Sequence, residues 1–307
     1  MTLFGTILCP VDFSSHSRQS LAYASILAAR KRGRLVVIYV EDPLLAAAAA
    51  VAYDEKVLIE KGRIELRRFV ERTIAPTGLK LSSVTLDVAV GKPHQVIEWT
   101  AENLGCDLIA MGARGATGIN KVMIGSTTHR ILRRSPLPVL ATPPVTRWKR
   151  PSAAWPGKIA IAPIDFGPRD RADVLAAAVA ARELGVQLQL VHVVEPIGDV
   201  PWLELDEARR NQQRERRAAA RLTRLQKDVH SVVTSVRVEI GRPADRIAAI
   251  AAQSHVGLVI MTRRKGQGLF GPRQGSISYE VLNKSNTPVL ALPSDNKWMR
   301  KVVRKVK

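Results

Sequence analysis

Cysteine is nearly absent. The 307 residues contain two, Cys9 and Cys106, with no C-x-x-C pair, so a disulfide framework and a dithiol redox motif are excluded and a reducing compartment is indicated. Long apolar runs are also missing. Leu44, Leu45 and the run from Ala46 to Ala50 are too short to span a bilayer, which takes about 20 residues; they read as the start of a helix or as a flexible flap. No secretory leader is legible, since the first residues run straight into an apolar segment, and a cytoplasmic location is expected. His16, His94, His129, His230 and His255 show no metal-ligand spacing, and His192, between Val191 and Val193, reads as a packed sheet histidine. No Ser-His-Asp order or G-x-S-x-G elbow is present, and no general base is poised by a third group. An enzyme is not expected.

What the chain does have is a glycine pattern. The apolar run from Asp107 to Met111 leads directly into Gly112, Arg114 and Gly115, and nine residues later into Gly125, Ser126 and Thr127. A strand that ends in glycines and enters a helix bares backbone N–H groups to an anion. The spacing G-x2-G-x9-G-S is not the Walker A spacing, so the loop points to phosphate binding without a P-loop enzyme. Gly91, Lys92 and Pro93 lack the upstream glycine and the following hydroxyl, and are rejected as a P-loop.

The pattern belongs to a longer repeat. The segment Ile7 to Phe13, containing Pro10, Val11 and Asp12, matches Ile159 to Phe166, containing Pro163 and Asp165. Val40 and Glu41 match Val194 and Glu195, Gly91 and Pro93 match Gly241 and Pro243, and Pro138 to Ala141 match Pro288 to Ala291. The copies lie about 150 residues apart, which fits two domains of ordinary size. We expect a first domain over 1–146, a linker over 147–156 inside the proline-rich stretch from Pro143 to Pro156, a second domain over 157–293, and a basic tail over 294–307. The second copy has Thr262 and Lys265 where the first has Gly112 and Gly115, but keeps Gly275 and Ser276.

Within each copy, short apolar runs (Thr6 to Val11, Leu35 to Val40, Val84 to Val90, Asp107 to Met111, Pro138 to Ala141) alternate with amphipathic stretches. Such alternation indicates a parallel sheet covered by helices on both faces. The expectation is therefore an α/β fold of two tandem doubly wound sheets, each with five strands and four helices in the order 3-2-1-4-5. Strands 1 and 4 meet at the switch point, outside whose carboxyl ends ligands bind. Asp12 and Gly112 fall there. Asp12 also has a simpler reading, as a cap for a helix beginning near Ser15. Gly112 and Gly115 taken alone could form no more than a tight turn.

These motifs resemble the universal stress protein family in a tandem arrangement, over nearly the whole chain. The resemblance implies an adenine-nucleotide alpha-hydrolase-like domain and a role in stress survival. Members with the full glycine pattern are similar to ATP binders. On that basis Pro10, Val11 and Asp12 would lie along the adenosine, and Val40 would meet the adenine edge. Met111 and Gly112 would lie near ribose and phosphates, Arg114 and Gly115 would continue the turn, and Gly125, Ser126 and Thr127 would hold phosphates, with or without a coordinated Mg2+. ATP is expected in the first copy, as a switch and not as fuel, although slow hydrolysis is compatible with such a site. An interaction scaffold without nucleotide is the alternative. The resemblance further implies pairing of the two last strands within one chain, a pseudo-dimer that allows a homodimer of chains.

Acids are scarce beside bases, 27 against 47, and the excess of +20 is shared by the two copies. The densest basic run, Arg209 to Lys227, reads as the second helix of copy two with a basic outer face. Such charge attracts polyanions. No aromatic residue interleaves with the arginines and no nucleic-acid motif is present, so no specific nucleic-acid partner is expected and the run reads as a solvated face. The basic tail reads either as a disordered end or as a segment lying on an anionic membrane; membrane contact is the less favoured reading.

Overall fold

The computed structural model describes residues 3–43, 47, 55–114, 124–144, 148, 150–196, 207–229, 232, 234–263, 277–293 and 298. Gly115, the second-copy residues Lys265, Gly275 and Ser276, the apolar stretch 44–50 apart from Ala47, and the tail apart from Trp298 lie outside them. The chain divides into two compact units, Met1–Trp155 and Pro156–Lys307.

The first unit runs β1 (Thr6–Val11), α1 (Ser15–Lys31), β2 (Arg34–Glu41), α2 (Glu55–Ile74), β3 (Val84–Val90), α3 (Pro93–Asn103), β4 (Leu108–Gly112), α4 (Ser126–Arg134) and β5 (Val139–Thr142). All its strand pairs are parallel, in the order β3-β2-β1-β4-β5. The second unit runs β6 (Ile159–Pro163), α5 (Asp170–Leu184), β7 (Gln187–Val194), α6 (Glu207–Lys227), β8 (Thr234–Ile240), α7 (Pro243–Ala251), β9 (Val256–Arg263), α8 (Ile277–Lys284) and β10 (Val289–Pro293). Its order, β8-β7-β6-β9-β10, repeats the first. Both sheets are the doubly wound arrangement the alternation predicts. Their central strands are almost wholly apolar because helices cover both faces, and Ile7, Leu8, Leu35, Leu108, Ile109, Leu140, Ile161, Leu190, Leu258 and Leu290 are all buried.

The repeat extends to local backbone devices. Gly91 and Gly241 turn out of β3 and β8 at φ 157° and 143°, where a side chain would be strained. A Cβ on either would also press on a side chain of the following helix, Val96 or Arg246. Pro93 and Pro243 then occupy the first turns of α3 and α7, where the missing N–H costs nothing. The Gly-Lys-Pro motif is thus a strand-to-helix junction, which fits its rejection as a phosphate loop.

The linker is anchored at its end. Trp155 is buried, its ring edge-on to Tyr23 at 4.8 Å, and its carbonyl accepts from Arg30 Nη1 at 2.8 Å. Trp298, the one described residue of the tail, is buried as well. Among the described residues no helix is long and apolar enough to cross a membrane.

Candidate functional site

Three chain segments meet at the carboxyl end of the first sheet. β1 and β4 are neighbours, with Ile7 opposite Leu108 and Leu8 opposite Ile109. The residues that follow them, Asp12 and Ala113, therefore leave the sheet side by side. Pro10 and Val11 end β1, Val11 being buried, and Met111 and Gly112 are buried at the end of β4. Val40 lies half-buried near the end of β2, one residue past the Val11–Tyr39 pair. The start of α4 is tied to the end of β4 by two hydrogen bonds. The N–H of Gly125 donates to Ala113 O at 2.9 Å, and the Thr128 hydroxyl donates to Gly112 O at 2.8 Å.

Gly112 is glycine for lack of space. A Cβ there would lie 2.9 Å from Arg114 O and 3.1 Å from His16 C and Cβ, closer than ordinary packing allows, so the first turn of α1 fits onto the strand end only without a side chain. In the second unit Thr262 takes this position half-buried. There α5 begins five residues after Asp165, whereas α1 begins three residues after Asp12, so the helix start is displaced along the chain.

Gly125 is the N-cap residue of α4 and offers no side chain to its first turn; no acid lies in that turn, and among the described residues no side chain is seen to accept from it. The first N–H groups of a helix have no intrahelical partner. Here they open onto Ser126, which is exposed, and Thr127, which is half-buried. With the positive end of the helix dipole, the spot suits an anion. Arg114 lies half-buried nearby, and its Nε is buried without a hydrogen-bond partner among the described residues. Burial and then the Arg114 charge hold His16 below its ordinary value, against an upward pull from Asp12. The imidazole is therefore neutral at neutral pH, and apart from Asp12 the predicted set of site residues holds no negative charge.

Asp12 is partly a structural residue, but not as the helix cap of the simpler reading, since Ser14 caps α1 and Asp12 braces the turn before it. Its Oδ1 accepts from the backbone N–H of Ser14 at 3.1 Å and from the Ser14 hydroxyl, and its own N–H donates to Ser17 Oγ at 3.3 Å. Ser14 is the true N-cap of α1, accepting from Ser17 N. Asp165 repeats the turn, accepting from Gly167 N at 3.1 Å. Carboxylates that brace a turn in this way are Asx motifs.

Sequence reasoning passed over the next residue. Phe13 and Phe166 both take positive φ, 61° and 57°, which is uncommon for a bulky side chain. Each ring rests on its counterpart from the neighbouring strand: Phe13 on Tyr39 at 4.6 Å, and Phe166 on His192 at 3.9 Å. Phe69 of α2 meets Phe13 edge-on, and Arg221 of α6 lies over Phe166 at 4.5 Å. These rings fix the turns that hold Asp12 and Asp165. His192, expected to be a packed sheet histidine, is half-buried and bonds Ile164 O at 2.7 Å through Nδ1. Recurrence of the Asp-Phe pair in both copies was the available signal. Among the described residues no cluster of His, Cys, Asp and Glu has the makings of a metal site.

The model of the universal stress protein family matches residues 3–143 and again 158–293. The chain belongs to the universal stress protein family. A universal stress protein of Mycolicibacterium smegmatis is 24% identical over 295 residues, covering 93% of this chain and 96% of its own. A universal stress protein of Methanocaldococcus jannaschii is 27% identical over 155 residues, covering 45% of this chain and 94% of its own. Among solved structures, a universal stress protein from Archaeoglobus fulgidus superposes with a TM-score of 0.62 at 21% identity, covering 95% of this chain and 97% of that one. The fold of that protein is therefore shared over 95% of this chain.

Proposed function

We propose that the first unit binds ATP and that the protein acts as a nucleotide-dependent regulator in the stress response. One observation carries this reading: the acid-free start of α4, whose N-cap residue is a glycine, is fastened to a strand end where only glycine fits, with Asp12 and Arg114 close by. Backbone donors and a helix dipole at a glycine-lined turn recognise phosphate. Asp12, Val11 and Val40 would border the nucleoside, Ser126 and Thr127 the phosphates. Any Mg2+ would arrive with the triphosphate, which supplies the oxygen ligands such an ion prefers.

The test is equilibrium titration of ATP with Mg2+ into wild type and Ser126→Glu. An acid in the first turn favours the helix by about 0.3–1 kcal/mol but repels phosphate. The expected outcome is loss of ATP binding with thermal stability kept or raised. Equal affinity in the two proteins would overturn the assignment, and no affinity in either would favour an interaction scaffold.

A further inference from the structure

The two units differ in charge on the helix that follows their second strand. On α2 three of the four arginines have an acid partner within the helix: Arg63 pairs with Glu60, Arg67 with Glu71 and Arg68 with Glu65. On α6 the only acids are Glu207 and Glu215, against seven arginines and Lys227. Two of those arginines are tied back to their own unit by hydrogen bonds. Arg214 donates to Glu195 O at 2.6 Å, and Arg221 to Asp170 and Phe166 O. The apolar side chains Ala218, Leu222 and Leu225 are buried, on the face that packs on β7 and β8. Arg210, Arg217 and Arg224 recur at intervals of seven and form a row along one flank, about 100° round the helix from the apolar face, while Lys227 and Arg216 lie on the outermost side. All five are exposed, and among the described residues none pairs with a carboxylate. At 1.5 Å per residue the stripe is about 25 Å long.

We infer that this face of α6 docks double-stranded nucleic acid through its phosphates, without sequence preference. Charge complementarity selects the partner. A duplex presents a continuous row of phosphates, and guanidinium forks match phosphate oxygens better than ammonium groups do; four of these five cations are arginine. The outer face holds no aromatic side chain on which an unpaired base would stack. It holds no large apolar side chain to enter a lipid surface either, since the apolar stripe of the helix is spent on the sheet. Contacts to phosphate alone position a protein without reading bases. The inference is independent of the nucleotide crevice, which lies in the other unit.

The test uses a fluorescent 30-base-pair duplex, titrated with the full chain between about 50 and 200 mM salt. Five phosphate contacts give a slope of log K against log salt near −4.5, at about −0.9 per contact. The triple variant Arg210→Gln, Arg217→Gln, Arg224→Gln is expected to bind at least tenfold more weakly with a slope shallower by about 2.7. Its circular dichroism should stay unchanged, because the three side chains are exposed. A matched variant on α2, Arg63→Gln, Arg67→Gln, Arg68→Gln, removes the same charge and is expected to bind as wild type. Equal losses in the two variants would mean diffuse attraction and overturn the assignment. Wild-type binding by the α6 variant, or binding to phosphatidylserine vesicles with none to the duplex, would overturn it as well.

Discussion

The Thr128 hydroxyl donates to the Gly112 carbonyl at 2.8 Å, joining the first turn of α4 to the end of β4 across 16 residues of chain. Thr128 is buried, so the bond is shielded from water. Thr128→Val keeps the shape and removes the donor. A loss of about 1–3 kcal/mol is expected, because a buried acceptor is left without its partner. Urea unfolding of the two proteins measures it, and a midpoint shift near zero would mean that the carbonyl finds another donor.

Gly112→Ala tests space instead of bonding. The added methyl would meet Arg114 O and the backbone of His16, neither of which is the free end of a flexible side chain. Overpacking of this kind costs about 1–3 kcal/mol. Both the melting temperature and ATP affinity are expected to fall, since α1 must retreat from the strand end.

Acid weakens the first unit through His94. Arg130 Nη1 lies 3.5 Å from His94 Nε2, a contact that requires the imidazole nitrogen to accept. Burial, Arg130, Arg134 and Lys92 hold His94 below its ordinary 6.5, with Glu98 opposing. His16, His129 and His192 are shifted the same way, each chiefly by burial. The unfolded chain therefore takes up protons first, so stability is full above about pH 6.5 and declines as pH falls through the folded-state values. Denaturant midpoints from pH 7.5 to 5 should decline, and His94→Gln should flatten part of that decline. An unchanged slope in the variant would remove His94 from the account.

Neither thiol is poised for reaction. Burial pushes Cys9 up to about 12 and Cys106 up to about 11, the latter with help from Asp107. The expected result is no labelling by iodoacetamide at pH 8 in the folded protein and two labelled sites in urea, because the thiolate is the nucleophile. The unfolded chain ionises near 9.0, so both thiols also withdraw stability as pH rises from there.

Strand order, the repeat and the glycine turn were legible because each is written in local pattern. Apolar runs mark parallel strands, and glycine marks a position that rejects a Cβ, as at Gly112. What escaped is carried by partners distant in sequence. Thr128 matters through Gly112, His94 through Arg130, and Phe13 through Tyr39 and Phe69, and only packing brings these together. Asp12 was half legible: its place at the strand end was clear, while the bonds that commit one oxygen to Ser14 depend on the turn that Phe13 creates. The charge on α6 was counted correctly, but which arginines are tied to Glu195, Asp170 and Phe166 and which are left to solvent needed the fold.

Trp155 decides where the first unit can be cut. The family model ends at residue 143, yet the indole twelve residues later covers Tyr23 and its carbonyl holds Arg30. A fragment trimmed to the recognisable motif would bare an aromatic ring and strand a guanidinium, inviting aggregation. Extending the same fragment through Trp155 restores its own lid, and the difference in yield between the two lengths is visible on an expression gel.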